Sequence, residues 1–506
     1  MAKICLSLTA GTIKRDLEIL EKYRKFTDIA ELRVDCLQPD ERFLIRNFPE
    51  QAGLPVILTI RRSIDGGHFA GGEGARVNLM AQGLAFAYSD RRRNFAYVDI
   101  EEDLDVPSLE EAARTFGTRI IRSWYNLRSA GDGLSAKIRD MRRNPDDLVK
   151  ISVMINSTAD IQRVLRCGRE CADHDKILVC LGHYGVYSRI LAEKFGSFLS
   201  YAGALSEPDL PEWMIGQIDV QKLAGLYRFR DIKASTKVYG ILGNSLEVTD
   251  EPPFFNTVFK LEGIDAVYVP FPADSAEAFT EIADELDVSG FSVTAPYKED
   301  IVPFLSEQSL EVQETGICNT VSRCSTGWKG TNTGTRGFSN SLLDFLGKKD
   351  LKWKKITVIG AGSTARTVTR EIHRLGGKAL VLNRNIQKAR ELAVPYKFAW
   401  GSLDSRGIEM IEKYSDIIIK AETTGIDEND SGDPLNNYPF LGRETVMDLI
   451  NKSTQSPFLQ RAERSGCRIL DGSDMLTRQA QFQYAQFVGR EFPRQYISRV
   501  QFGRSE

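Results

Sequence analysis

The chain has 506 residues, 42% hydrophobic and 27% charged, with a formal net charge of −3. That length exceeds one hydrophobic core and implies two or three folded units of about 150 residues each. The near-neutral balance, without a long basic stripe, argues against nucleic acid or an anionic membrane surface as a partner.

No apolar run approaches the ~18 residues that span a bilayer. Met1-Ala-Lys-Ile-Cys leads straight into a strand-like segment rather than a signal peptide, so a cytoplasmic protein is expected. From the start to about residue 230, short β-branched runs alternate with stretches of helical periodicity. Candidate strands are 3–8, 28–35, 55–62, 95–101, 118–123, 148–154, 176–182 and 199–204. Eight βα units predict a closed parallel barrel, with reactive groups at the C-terminal ends of its strands.

Barrel strands are usually continuous apolar runs, so an ion inside one must be paired or functional. Glu31, Arg33, Arg61 and Lys150 break the rule. An ammonium group in the strand at 148–154 would be poorly solvated, which lowers its pKa and makes Lys150 a better nucleophile toward a carbonyl. The alternative is an ion pair with Glu31 or Asp99. Arg33, Arg61 and Arg189 would converge on the barrel mouth, where clustered guanidinium groups suit a small carboxylate substrate.

The run FRDIKASTK (229–237) loses the periodicity and marks a linker. Strands near 238–243, 266–270 and 290–294 then alternate with helices, and a sharper βαβ unit begins at Lys355. Its turn, Gly360-Ala361-Gly362-Ser363-Thr364-Ala365, fits the G-x-G-x-x-A dinucleotide fingerprint in strand–turn–helix context; a bare glycine turn is the plainer alternative. After the second strand stands Asn383-Arg384-Asn385, where an NAD enzyme usually places an acidic residue. The arginine favours the 2′-phosphate of NADP, unless Arg384 is simply a surface residue. The eight cysteines contain no CxxC pair, so they read as reduced thiols, and no metal site is expected.

The motifs LRVD (32–35), TIRRSIDGG (59–67), VKISVM (149–154) and GVYSR (185–189) resemble type I 3-dehydroquinate dehydratase across residues 1–220. VYGILGN (238–244), FSVTAPYKED (291–300), GICNTV (316–321), NTGTRG (332–337), GAGSTAR (360–366) and GSDMLTRQA (472–480) resemble shikimate dehydrogenase. Together they look like a bifunctional fusion. The resemblance implies an α/β chain: a (β/α)8 TIM barrel over 1–230, a substrate-binding domain over 236–350 completed by 470–506, and a Rossmann NADP domain over 351–470. It implies dehydration of 3-dehydroquinate to 3-dehydroshikimate and NADPH-dependent reduction to shikimate. By the same resemblance Lys150 is the Schiff-base lysine, with Ser7, Glu31, Arg33, Arg61, Arg189 and Gln217 binding substrate. Lys298 is the dehydrogenase's catalytic lysine, with Thr294, Asn319 and Gln479 on the substrate. The sequence fixes no oligomeric state.

This chain departs from both patterns. Tyr125, in Ser123-Trp124-Tyr125-Asn126, occupies the position of the general acid/base histidine, and His183 after the seventh strand is a candidate replacement, with His68 a weaker one. The loop 203–217 keeps only Gly216 and Gln217 of the family's pattern. Gly334 stands where the dehydrogenase has its catalytic aspartate. Thr249-Asp250-Glu251 replaces a Ser-x-Ser clamp on the substrate carboxylate, and Lys420-Ala421-Glu422-Thr423 replaces an Asn-Thr-Thr-Ser loop. A partly or wholly inactive paralogue that binds quinate, shikimate or NADP as a regulator is the competing reading.

Overall fold

The computed structural model describes residues 1–85, 90–207, 217–244, 249–422, 433–449, 455–500 and 502. The chain divides into two compact units, one of Met1–Val238, Asn244–Leu246 and Gly263–Asp287, the other of Tyr239–Gly243, Glu247–Glu262 and Val288–Glu506.

All eight expected strands of the first unit are present: β1 Lys3–Leu8, β2 Ile29–Arg33, β3 Val56–Thr59, β4 Tyr97–Glu101, β5 Arg119–Asn126, β6 Leu148–Met154, β7 Lys176–Leu181 and β8 Leu199–Gly203. They are parallel neighbours in the order β7-β6-β5-β4-β3-β2-β1-β8, with a two-residue strand, β9 Ile218–Asp219, added on β8. Just before β8, the amide of Phe198 donates to the Lys176 carbonyl at 2.7 Å, and the Ser197 hydroxyl accepts from the amide of Leu178 at 3.0 Å. These bonds draw β7 and β8 together at the seam.

The period of two along a strand sorts the interior into layers. Cys5, Ile29, Ile57, Ile121, Leu148, Ile177 and Leu199, with Tyr97 beside them, make an apolar floor. One pleat up, the same strands present Ser7, Glu31, Thr59, Asp99, Ser123, Lys150, Val179 and Tyr201. Another pleat on come Arg33, Arg61, Tyr125 and Ser152. The switch from carbon to charge therefore occurs at one height around the ring, as expected for a barrel whose chemistry sits at the strands' C-terminal ends.

In the second unit, a mixed sheet has neighbours in the order Lys237–Gly243, Val288–Val293, Thr320–Cys324, Gly327–Thr331 and Glu307–Gln308. A separate sheet is wholly parallel, running Ala399–Ser402, Lys378–Asn383, Lys355–Ile359, Ile417–Lys420, Thr445–Asp448 and Arg468–Asp471. Its central strands are buried isoleucine- and valine-rich runs, as helices on both faces require. This doubly wound order places the first strand next to the chain's switch point, where ligands collect. Helices Gly334–Leu346 and Ser473–Val488 pack closely because Gly337 has no Cβ; one added there would lie 2.8 Å from the Met475 carbonyl oxygen.

Candidate functional site

The mouth of the barrel holds a cavity of about 260 Å³. Ser7, Glu31, Arg33, Arg61, Tyr125, Lys150, Arg189 and Gln217 all line it, whereas the two candidate histidines, His183 and His68, do not. His183 sits in a 3-10 turn with its imidazole Nε2 2.5 Å from the Asn244 carbonyl oxygen, a contact that engages the ring away from the cavity. His68 is also absent from the lining; its amide donates to Asp35 at 3.0 Å.

Lys150 is 1% exposed and forms an ion pair with Asp99, itself buried. Asp99 also accepts from the Ser123 hydroxyl at 2.5 Å and from the Tyr125 hydroxyl at 3.4 Å. The expected lowering of the lysine pKa does not hold: burial is the strongest single influence and pushes it down, but the Asp99 carboxylate, joined by Tyr125 and Glu31, holds the ammonium above its ordinary value. Tyr125 is shifted upward by desolvation, and Arg61 stacks over its ring at 4.7 Å. Such a phenol stays protonated at neutral pH and is a donor rather than a base.

Glu31 accepts from Ser7 at 2.8 Å and Thr59 at 3.0 Å, while Arg33 makes a two-pronged bond to Asp35 at 3.0 and 2.8 Å. These bonds fix the walls. Arg189 differs: it is 5% exposed, its Nε has no partner, and burial lowers its pKa to about 10. Gln217 Oε1 is likewise buried without a partner. Unsatisfied buried polar atoms are rare and call for a ligand, and these two line a cavity with a cationic wall. Residues 208–216 of the loop before Gln217, Gly216 included, lie outside the described residues.

The second unit assembles another cluster. Asn319 is buried, and its Oδ1 accepts from the Thr333 amide at 2.8 Å and the Thr320 hydroxyl at 2.9 Å, which leaves its amide nitrogen free to turn outward. A Cβ added at Gly334 would lie 3.4 Å from Asn319 Nδ2 and 3.2 Å from Gln479 Oε1, so the glycine sits among predicted substrate ligands. Thr294 and Lys298 are half-buried on the segment after Val288–Val293. Burial depresses the Lys298 pKa, and the nearby charge of Glu251 opposes that shift. Glu251 is anchored by the Ser292 hydroxyl on the adjacent strand, and its amide donates to Thr249 at 3.4 Å. The sequence marked Glu251 as part of a replaced clamp but gave no sign that its field reaches Lys298.

At the dinucleotide turn, Gly360 has φ +110°, a conformation that favours glycine, and a Cβ there would lie 2.9 Å from that of Glu422. Nothing lies within 4 Å of a Cβ built on Gly362, so its backbone is open to a pyrophosphate at the N-terminus of helix Ser363–Arg374. Ala365 is fully buried against the sheet. Asn383 donates to the Asn385 carbonyl at 3.0 Å, and Arg384 is exposed at the end of the second strand. These features fit a dinucleotide. Thr423 lies outside the described residues, while Lys420 is buried in an ion pair with Asp448 at 3.3 Å.

Residues 4–234 match the model of type I 3-dehydroquinase, residues 241–321 that of the shikimate dehydrogenase substrate-binding domain, and residues 345–426 that of shikimate/quinate 5-dehydrogenase. The NADP(+) shikimate dehydrogenase of Pyrococcus furiosus is 32% identical over 53% of this chain and 96% of its own length. The chain belongs to the shikimate dehydrogenase family, with a type I 3-dehydroquinase region ahead of it. The chloroplastic bifunctional 3-dehydroquinate dehydratase/shikimate dehydrogenase of Arabidopsis thaliana is similar in both halves, at 27% identity over 97% of this chain and 83% of its own length. A crystal structure of the Aquifex aeolicus shikimate dehydrogenase is 31% identical, covers 53% of this chain and 98% of its own, and superposes with a TM-score of 0.48. In the 3-dehydroquinase region, sequence reasoning missed Tyr201 and Ser152, which line the cavity beside Lys150. Their signal was the period of two from residues already identified. No helix among the described residues is long and apolar enough to cross a membrane.

Proposed function

We propose that the chain dehydrates 3-dehydroquinate to 3-dehydroshikimate through a Schiff base on Lys150 and reduces 3-dehydroshikimate to shikimate with NADPH. Both steps serve chorismate and aromatic amino acid synthesis, and the cytoplasm is their proposed location. The supporting observation is the buried lysine at the focus of a cavity whose wall carries Arg61 and the unpartnered Arg189. An amine captures a ketone as an imine, and the guanidinium groups answer the substrate's carboxylate. Ser7, Glu31, Arg33 and Gln217 hold the hydroxyls, and Tyr125 supplies a hydrogen-bond donor.

In the dehydrogenase half, bound NADPH supplies the hydride. The turn Gly360 to Ala365 holds its pyrophosphate, Asn383 and Arg384 hold the adenosine end, and Arg384 meets the 2′-phosphate. Lys298 donates the proton that the reduced carbonyl oxygen needs, while Thr249, Thr294, Asn319 and Gln479 orient the ring. The proposed domains are 1–230, 236–350 with 470–506, and 351–470.

The test supplies purified protein with 3-dehydroquinate alone, then with NADPH. Appearance of the conjugated enone absorbance of 3-dehydroshikimate, followed by its loss with oxidation of NADPH, is the expected sequence. Absence of both signals from folded protein overturns the reading.

A further inference from the structure

We infer that Asp99 is a catalytic residue of the barrel: it takes the proton of the Lys150 ammonium as that amine attacks the substrate ketone, and delivers it to the oxygen that leaves as water. This role rests on the Schiff-base reading above.

The placement carries the argument. Asp99 and Lys150 meet in the first polar layer, one pleat above the apolar floor, and Lys150 is 1% exposed. The proton on Lys150 therefore needs a local acceptor before the amine can act as a nucleophile. The groups facing Lys150 are Asp99, Glu31, Arg61, Tyr125, Tyr201 and Cys5. Cys5 and both tyrosines are held protonated by burial, and Arg61 is a fixed cation. Glu31 has both oxygens engaged, by Ser7 and Thr59. Asp99 is the anion in direct contact with the nitrogen. Ser123, at 2.5 Å from its other oxygen, holds the carboxylate in that orientation.

The step balances on this one carboxylate. The ammonium passes a proton to Asp99, and the freed lone pair forms the N–C bond while the carbonyl π pair moves to oxygen. That oxygen takes the proton from Asp99. A second N–H proton follows through the same carboxylate to the hydroxyl, the C–O bond breaks with its electrons on oxygen, and water leaves. The nitrogen keeps one hydrogen as the iminium, and Asp99 ends as the carboxylate. No oxidant or reductant enters. The iminium formed is itself a cation beside Asp99, so the charge pair survives the reaction.

The experiment compares wild type, Asp99→Asn and Asp99→Glu by borohydride trapping with 3-dehydroquinate. It also follows labelling of Lys150 by an amine-selective reagent, without substrate, as a function of pH. Wild type is expected to give a reduced adduct on Lys150. In Asp99→Asn, adduct formation slows by about 10²-fold or more, the range for loss of a positioned acid/base. Its labelling midpoint moves to lower pH, because the lysine then has Arg61 for a neighbour and no contacting anion. Asp99→Glu recovers part of the rate and keeps the midpoint high. Should Asp99→Asn not fold, Asp99→Glu carries the test alone, with a rate loss at a retained midpoint. Trapping of Asp99→Asn at or above the wild-type rate overturns the inference, since losing an aspartate that merely paired with the ammonium would leave more free amine; an unmoved midpoint overturns the contact on which it stands. A wild type that labels normally but yields no adduct overturns the Schiff-base reading instead.

Discussion

The two halves of the chain each hold a lysine at their focus, and physics drives the two in opposite directions. Lys150 is almost wholly inaccessible yet shifted upward, because a carboxylate touches it and Tyr125 and Glu31 add to its pull against burial. Lys298 is half-buried yet shifted downward, because Gly334 offers no carboxylate and Glu251 only partly offsets burial. Depth alone does not decide the sign of a lysine's shift; the nearest counter-charge does. The barrel thus stores its amine as an ammonium that needs a proton acceptor, whereas the dehydrogenase keeps a more acidic ammonium, suited to giving a proton away.

The sharpest break between the halves is Lys150→Ala. It is expected to abolish dehydration and to leave shikimate-dependent NADPH formation unchanged, which separate assays of each half would read. It also strands Asp99, so a stability loss of about 3–5 kcal/mol should appear in denaturant unfolding of the barrel. Next in size is Arg384→Ala. Loss of a charge-assisted bond of about 1.5–3 kcal/mol predicts a fall in the preference for NADPH over NADH of about 10- to 100-fold, read as the ratio of the two kcat/KM values.

Glu251→Ser probes the other lysine. Removing an anion from the clamp should lower KM for shikimate about tenfold, the order expected for a unit charge at a partly screened site. Because Glu251 raises the Lys298 pKa, its removal lowers that pKa further, and the limb of the kcat profile that needs protonated Lys298 moves to lower pH. An unmoved limb would mean that Lys298 does not govern the rate.

The smallest effect concerns stability. Burial pushes Asp16 up to about 8, although its carboxylate accepts the Ala10 amide at 3.0 Å. The folded state thus holds a proton that the unfolded chain releases near pH 4, so this group's contribution is full below pH 4 and is lost as pH rises toward 8. Asp16→Asn removes that loss. Its melting temperature relative to wild type should climb from pH 5 to pH 8, and a constant difference would refute the shift.

Much of this was legible in the chain. The eight barrel strands stand out because β-branched runs recur between helical stretches, and the charges within them mark the polar layer directly. The G-x-G-x-x-A turn reads equally well, since Gly360 and Ala365 meet steric demands that few residues satisfy. β9, two residues long, carries no period of its own. The sequence offered Glu31 or Asp99 as an ion-pair partner for Lys150 but could not choose between that and a lowered pKa, because Asp99 lies 51 positions away and only the barrel's register sets it against the ammonium. His183 illustrates the reverse: it follows the right strand, but a turn bonds its ring to Asn244. Sequence distance ranks residues by strand end, whereas the side chain's direction depends on the loop that carries it.

Among the described residues, the apolar floor beneath Lys150 closes the barrel on that side, and the cavity lies at its mouth. Substrate enters and the enone and water leave by the same mouth, so departure must precede the next arrival, and accumulating product competes with substrate for the doorway as well as for the arginines. Inhibition by 3-dehydroshikimate should therefore raise the apparent KM for 3-dehydroquinate without lowering kcat. A consumer of the enone that draws its concentration down would quicken the first reaction without touching it.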